Sequence, residues 1–242
     1  MTPAECAAAL KKPIGDLGAA FMFDPATRDR GKEHGLRGRP LYHLGRGGAL
    51  GDVPAEVVVA AFAFWPPAIV TEHWNAGREV MAPYDAALLY ARCCNEWGRV
   101  HLSGDLARPL RLLEKVVDRA EAAALPLFAA WRLLPRPDDA PGRLAQVINV
   151  MREHRGSVHA AAVAAMGLHP LEAVMAGAYG EANARFFEWS EPYPDPAEHR
   201  ARWDAAEDLT AAAAAPPYDV LTAAERVELV SAVTLLHASA SS

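Results

Sequence analysis

Arg46 and Arg132 are the residues to which the sequence first assigns chemistry. Each closes the pattern Pro-Leu-aromatic-x-x-x-Arg, from Pro40-Leu41-Tyr42 to Arg46 and from Pro126-Leu127-Phe128 to Arg132, 86 residues apart. Each follows an apolar segment whose backbone is expected to be partly buried, and a semi-buried guanidinium needs an anion beside it. Two kinds of anion are open. In one reading the acids just downstream, Asp52 and Asp138 or Asp139, pair with the arginines and fasten loops. In the other a pseudo-twofold axis brings both arginines to one cleft, where they clamp the carboxylate or phosphate of a ligand. Tyr42, Trp65 and Trp131 would then line the apolar wall, which suits an aromatic molecule. His159 follows Arg155-Gly156 and heads an apolar helix. It is the acid/base candidate if there is catalysis, because imidazole titrates near neutral pH. A hydrogen-bonded core histidine is the ordinary alternative.

Other chemistries lack their motifs. Neither His-Glu-x-x-His nor Cys-x-x-Cys occurs, and Cys93 and Cys94 are adjacent, so no metal site is expected. Both cysteines fall mid-helix beside Trp97 and read as packed rather than reactive. Ser103 and Ser157 are near glycines but not in Gly-x-Ser-x-Gly. Gly45-Arg46-Gly47-Gly48 lacks the Gly-Lys-Ser/Thr ending of a phosphate loop. His169 reads as a helix cap ahead of Pro170. No motif names a cofactor.

The elements that position these residues read as a duplication. Pro54 and Pro141 match at an offset of 87, as do Pro83-Tyr84-Asp85 and Pro170-Leu171-Glu172. In each, proline suits the first helical position and an acid the first turn. The chain thus divides into an N-terminal segment (1–22), a first helical repeat (23–104), a second repeat with its leading helix (105–209), and a C-terminal helix and tail (210–242). Short strands are expected to flank the Pro-Leu-aromatic segments, as in a winged helix.

Apolar periodicity supplies the helices. Leu106, Leu110, Leu113, Val117 and Ala120 share one face; so do Leu144, Val147, Ile148 and Met151, with Arg143, Gln146 and Arg152 opposite. Val57 to Trp65 is apolar nearly all round, which predicts a central helix. Asp195-Pro196-Ala197-Glu198 starts another helix, and Thr222 with Glu225 caps a last one to about His237, with a frayed tail from Ser239. Val158–Ala165, a glycine turn, then Pro170–Ala176 form a helix-turn-helix, with Pro67–Arg78 and Pro83–Arg92 as its counterpart.

Composition narrows the partners. Among 242 residues just over half are apolar, alanine is abundant and β-branched alternation is scarce, which predicts a mainly α fold. The net charge is −6, which disfavours a nucleic-acid or anionic-membrane face. The second helix of the Gly-turn hairpin, Pro170-Leu171-Glu172-Ala173-Val174-Met175-Ala176, carries an acid and no donor side chain for phosphates or base edges. Three cysteines without a framework fit a reducing cytoplasm, and no apolar run reaches membrane-spanning length.

Leu36 to Gly51, Phe62 to Pro66 and His159 to Ala173 together resemble an actinobacterial family of helix-turn-helix proteins found in genomes and natural-product gene clusters. The resemblance implies a winged-helix-like fold; its motifs mark a family rather than a chemistry. Where the relatives read Ala-Ala-Pro-Leu-Gly, this chain has Gly47-Gly48-Ala49-Leu50-Gly51. Their Phe-Tyr-Asn-Phe is Phe62-Ala63-Phe64-Trp65 here, so a pocket lined by that run would be more apolar.

The reading that follows is a mainly α protein, duplicated about a pseudo-twofold. It binds a small organic molecule, anionic or aromatic, between the repeats, and enzymatic action in specialised metabolism is compatible with that. A helix-turn-helix transcription regulator and a structural or partner-binding protein are the alternatives. A homodimer is left open.

Overall fold

The computed structural model describes residues 1–240, and among them there are thirteen α-helices and no strand. α1 spans Pro3–Phe23 and α2 Pro25–Glu33; α3 (Arg39–Gly47) runs into a 3₁₀ turn, Gly48–Leu50. Then come α4 (Ala55–Phe62), α5 (Pro67–Arg78), α6 (Pro83–His101), α7 (Ala107–Arg119) and α8 (Pro126–Leu133). α9 (Ala140–Ala165) is followed by α10 (Pro170–Ala176), α11 (Gly180–Phe186) and α12 (Pro196–Ala214). A second 3₁₀ turn, Pro216–Val220, leads to α13 (Ala223–Ala240).

Local chemistry starts many of these helices. Thr2 and Glu5 form a reciprocal capping box at α1, Asp24 caps α2, Asp139 caps α9 and Asp195 caps α12, each with proline in the first two positions. His169 Nδ1 accepts from the Leu171 N–H, so it caps α10 as its sequence context suggests. Thr222 and Glu225 exchange hydrogen bonds at the start of α13. That helix includes Ser239, which is therefore helical rather than frayed; 241–242 lie outside the described residues.

α9 is the organising element. It is 26 residues long, and every residue from Leu144 to Met151 is buried. α1, α6, α7, α8 and α12 all pack on it. Gln146, read as facing away from the apolar stripe, is fully buried because neighbours surround α9. α6 crosses α9 closely at Gly98, where a Cβ would sit 2.5 Å from the Pro141 carbonyl oxygen. Burial at this crossing, not helix propensity, selects glycine there.

Two expectations fail. The Pro-Leu-aromatic segments begin α3 and α8, with no flanking strand among the described residues, so the helix-turn-helix lacks a wing. Val57–Trp65 is not a central helix. α4 stops at Phe62 and buries only Ala55, Val58 and Phe62, leaving Val57 exposed. Its end has a local cause: Ala63 takes φ 29°, and Pro66 and Pro67 disfavour helix at and before them. The N-terminal segment, 1–22, forms nearly all of α1, which packs along both α9 and α13. One apolar cluster runs from Cys6 to Leu236.

The helix boundaries keep the sequence offset. α6 and α10 open at Pro83 and Pro170, and α5 and α9 end at Arg78 and Ala165, both pairs 87 apart. The break between α4 and α5 maps onto unbroken α9, while unbroken α6 maps onto α10 and α11. The duplication is a proposal that rests on these boundaries.

Candidate functional site

A cavity of about 870 Å³ lies between α1, α9 and α12, and is closed at one end by α3, the α4–α5 break and α11. Small residues make the space. α1 turns Ala8, Lys11, Gly15, Ala19 and Met22 toward it at helical spacing, α9 contributes Gly156 and Ala160, and α12 contributes Ala211 and Ala214. A Cβ at Gly15 or Gly156 would meet no atom within 4 Å. The α4–α5 break supplies Phe62, Phe64 and Trp65 to the lining, all of them apolar. Trp189 Nε1 donates to the Phe64 carbonyl at 2.9 Å and pins the break.

The charges in this wall are mostly cationic. Arg46 sits in the last turn of α3 and donates through Nε and Nη2 to the two oxygens of Glu153, both at 2.8 Å. Glu153 is 0% exposed and also accepts from Arg152 Nη1 at 2.9 Å. Burial would raise the Glu153 pKa; the two guanidiniums outweigh it and hold the carboxyl below its ordinary value. Burial likewise opposes the charge on Arg46, and Glu153 more than restores it. At the other end Glu207 takes Lys11 at 2.6 Å and Arg155 at 2.8 Å, and these cations keep it ionised against the cost of burial.

At the mouth, Arg39 donates to the Phe186 carbonyl at 2.6 Å, pairs with Glu188 at 3.0 Å, and stacks over Phe186 and Trp65. It straps α11 over the opening. Phe23, Tyr179 and Phe186 line the cavity yet are exposed, which marks the rim. Arg28 lines it and forms no ion pair among the described residues. Six cations (Lys11, Arg28, Arg39, Arg46, Arg152 and Arg155) therefore face three carboxylates (Glu153, Glu188 and Glu207), a surplus of three positive charges.

The residues singled out from sequence separate into two groups. Arg46, Tyr42 and Trp65 share the cavity wall: Arg46 Nη1 donates to Tyr42 Oη at 3.0 Å, and the Tyr42 and Trp65 rings lie 5.5 Å apart. Arg132, Trp131 and His159 do not line it. Arg132 donates to the Ala120 carbonyl at the end of α7 and lies over the Phe128 ring, so the two arginines do not converge on one cleft. Trp131 is fully buried and donates to the Arg46 carbonyl at 3.0 Å, bracing the wall from behind. Nor do the loop pairings form: Asp52 binds Arg78 and Asp139 binds Arg99.

His159 stacks on Phe64 and contacts Thr210 Oγ1 at 3.0 Å through Nδ1. The Thr210 hydroxyl donates to the Ala206 carbonyl, so Nδ1 carries the proton that Thr210 accepts. Burial lowers the His159 pKa, with Glu207 at 3.4 Å opposing. Sequence reasoning missed Lys11, Arg152, Glu153, Arg155 and Glu207. The Arg152-Glu153-His154-Arg155 run directly after an apolar stretch is the signal that was present, since a buried helix can hold charge only by pairing it.

The cysteines Cys6 and Cys93 are buried free thiols pushed up to about 11 by desolvation, consistent with packing. Among the described residues no His/Cys/Asp/Glu group has metal-binding geometry, and no single helix is long and apolar enough to cross a membrane.

The end of α9, the turn at Gly167 (φ 64°) and α10 form the Gly-turn hairpin. The model of the helix-turn-helix family matches residues 7–200. The chain belongs to the helix-turn-helix family. No curated protein and no solved structure matches it. In this family member α10 is seven residues long, buries Ala173 to Ala176 against its neighbours, and presents Glu172 in its first turn. In the counterpart hairpin, α6 opens with buried Pro83, exposed Tyr84 and Asp85. Neither second helix offers cations at the end that would enter a groove.

Proposed function

We propose that this helix-turn-helix family protein binds a small organic anion with an apolar body in the cavity between α1, α9 and α12. The supporting observation is the surplus of three positive charges on a predominantly apolar cavity in a chain whose net charge is −6. Surplus cations in an apolar pocket favour a ligand that brings its own negative charge. Arg152 serves as the anion contact, because Glu153 occupies only its Nη1. Phe62, Phe64, Trp65 and Tyr42 receive the body, and Arg39 holds α11 closed over it.

Anilinonaphthalene sulfonate, an aromatic anion, is the probe. It is expected to bind with enhanced fluorescence, and Gly156→Leu is expected to abolish this by projecting a branched side chain into the cavity where a Cβ meets no atom within 4 Å. Equal binding to both proteins, or none to the natural one, would end the reading. Family membership favours a second reading, a DNA-binding regulator. Gel-shift binding to its own promoter with a steep salt dependence would support it; the acidic first turns of α6 and α10 predict none.

A further inference from the structure

We infer that His154 reads a neutral oxygen of the bound ligand, so the molecule taken by the cavity is a hydroxy- or oxo-substituted organic acid. This rests on the proposed anion-binding reading and narrows its ligand class. His154 projects from α9 in the wall of the large cavity, and it also borders a second hollow of about 480 Å³ between α9, α12 and the turn at Pro216. It is only 3% exposed. Its ring meets Phe128 edge to face at 4.9 Å, and among the described residues neither ring nitrogen has a hydrogen-bond partner.

His43, His159 and His199 differ in having one ring nitrogen engaged, although Nε2 of His43 and of His73 is sealed in the interior without a hydrogen-bond partner among the described residues. His43 Nδ1 is held by the Arg39 carbonyl at 3.0 Å, His159 by Thr210 at 3.0 Å, and His199 by Arg202 at 2.9 Å. Each is oriented by the protein itself. His154 has no such partner among the described residues, and its ring nitrogens are not sealed in the core but border the two cavities, where a group of the ligand can pair them.

The charge state fixes what that partner is. Burial alone drives the His154 pKa down to about 4, and the adjacent carboxylate of Glu153 is consumed by Arg46 and Arg152. At neutral pH the ring therefore offers one N–H and one lone pair and no charge. An anionic head belongs with the arginines. A hydroxyl, which donates and accepts, or a carbonyl, which accepts, fits the imidazole. A ligand lacking that oxygen would strand the imidazole, which is how polar pockets discriminate between near-identical molecules.

The test is displacement of anilinonaphthalene sulfonate by naphthoate and by its positional hydroxy derivatives. On the natural protein at least one hydroxynaphthoate is expected to bind about five- to tenfold more tightly than naphthoate, the range one added hydrogen bond supplies. His154→Phe is expected to erase that preference while leaving naphthoate within about twofold, and His154→Asn, which keeps a donor and an acceptor, to retain part of it. If His154→Phe does not fold, His154→Leu takes its place. No hydroxyl preference on the natural protein, or a preference that survives His154→Phe, would overturn the assignment and leave His154 bonded to a resident water only. That result is distinct from failure of the underlying reading, in which the probe does not bind or Gly156→Leu leaves it bound.

Discussion

Arg46 and Arg132 occupy the same place in one sequence pattern, yet end in different physical situations. Both sit in the last turn of a short helix opened by Pro-Leu-aromatic. Arg46 is 12% exposed and bonded at two points to a carboxylate from the middle of α9. Arg132 is half-buried and satisfied by one backbone carbonyl and an aromatic face. α3 lies against charged residues of α9 at a cavity, whereas the last turn of α8 meets the end of α7. The pattern sets each arginine over the aromatic ring four residues before it; the neighbouring element decides whether it becomes part of a charged site.

The largest effect expected from this contrast is at Glu153. Removing it with Glu153→Ala leaves the Arg46 charge buried without its counter-ion and should cost about 3–5 kcal/mol, read from denaturant unfolding. A loss under about 1 kcal/mol would mean that solvent reaches Arg46 and that the two arginines are equivalent after all.

The pH dependence separates them next. Glu153 has a folded pKa below its ordinary value, so its contribution is complete above about 4.5 and is lost as pH falls through the folded value. The stability gap between the natural protein and Glu153→Gln should therefore narrow in acid, while the gap to Arg132→Met, which breaks a bond to a carbonyl, should stay constant. Parallel melts from pH 7 to 3 would show it. A gap to Glu153→Gln that persists to pH 3 would contradict the ion-pair account.

At the cavity, Gly156→Leu should raise the melting temperature, because glycine within a helix costs roughly 1 kcal/mol against a good helix former and a Cβ at this position meets no atom within 4 Å. Stabilisation together with loss of probe binding is the expected pair. Destabilisation would show that the space is not empty.

Arg132→Met should have the smallest effect, about 1 kcal/mol for one hydrogen bond, with probe affinity unchanged. A several-fold loss of affinity would restore the symmetric clamp. Superposing 39–101 on 126–186 tests the duplication directly: close overlay of α3 on α8 and of α5 on the second half of α9 is expected.

How legible this was depended on the range of the interaction. α5, α12 and α13, the cap at His169 and the Gly-turn hairpin were readable because prolines, capping side chains and glycine act within one turn of themselves. The wings were misread because Pro-Leu-aromatic suits either the start of a helix or a strand. Tyr42, Trp65 and Arg46 were found as apolar or charged groups near a repeat. Their partner Glu153 is 107 residues from Arg46, and α1, which builds one side of the cavity, lies outside the repeat.

The sequence by itself determined a mainly α chain, most helix starts, and an acidic surface poor in groove-reading cations, because propensity, capping and net charge are local or additive. Tertiary structure alone decided that α9 is central, that only one of two matched arginines faces a cavity, that small residues on three helices open that cavity, and that His154 is left unpaired within it. Those outcomes depend on which faces meet, and no spacing along the chain encodes that.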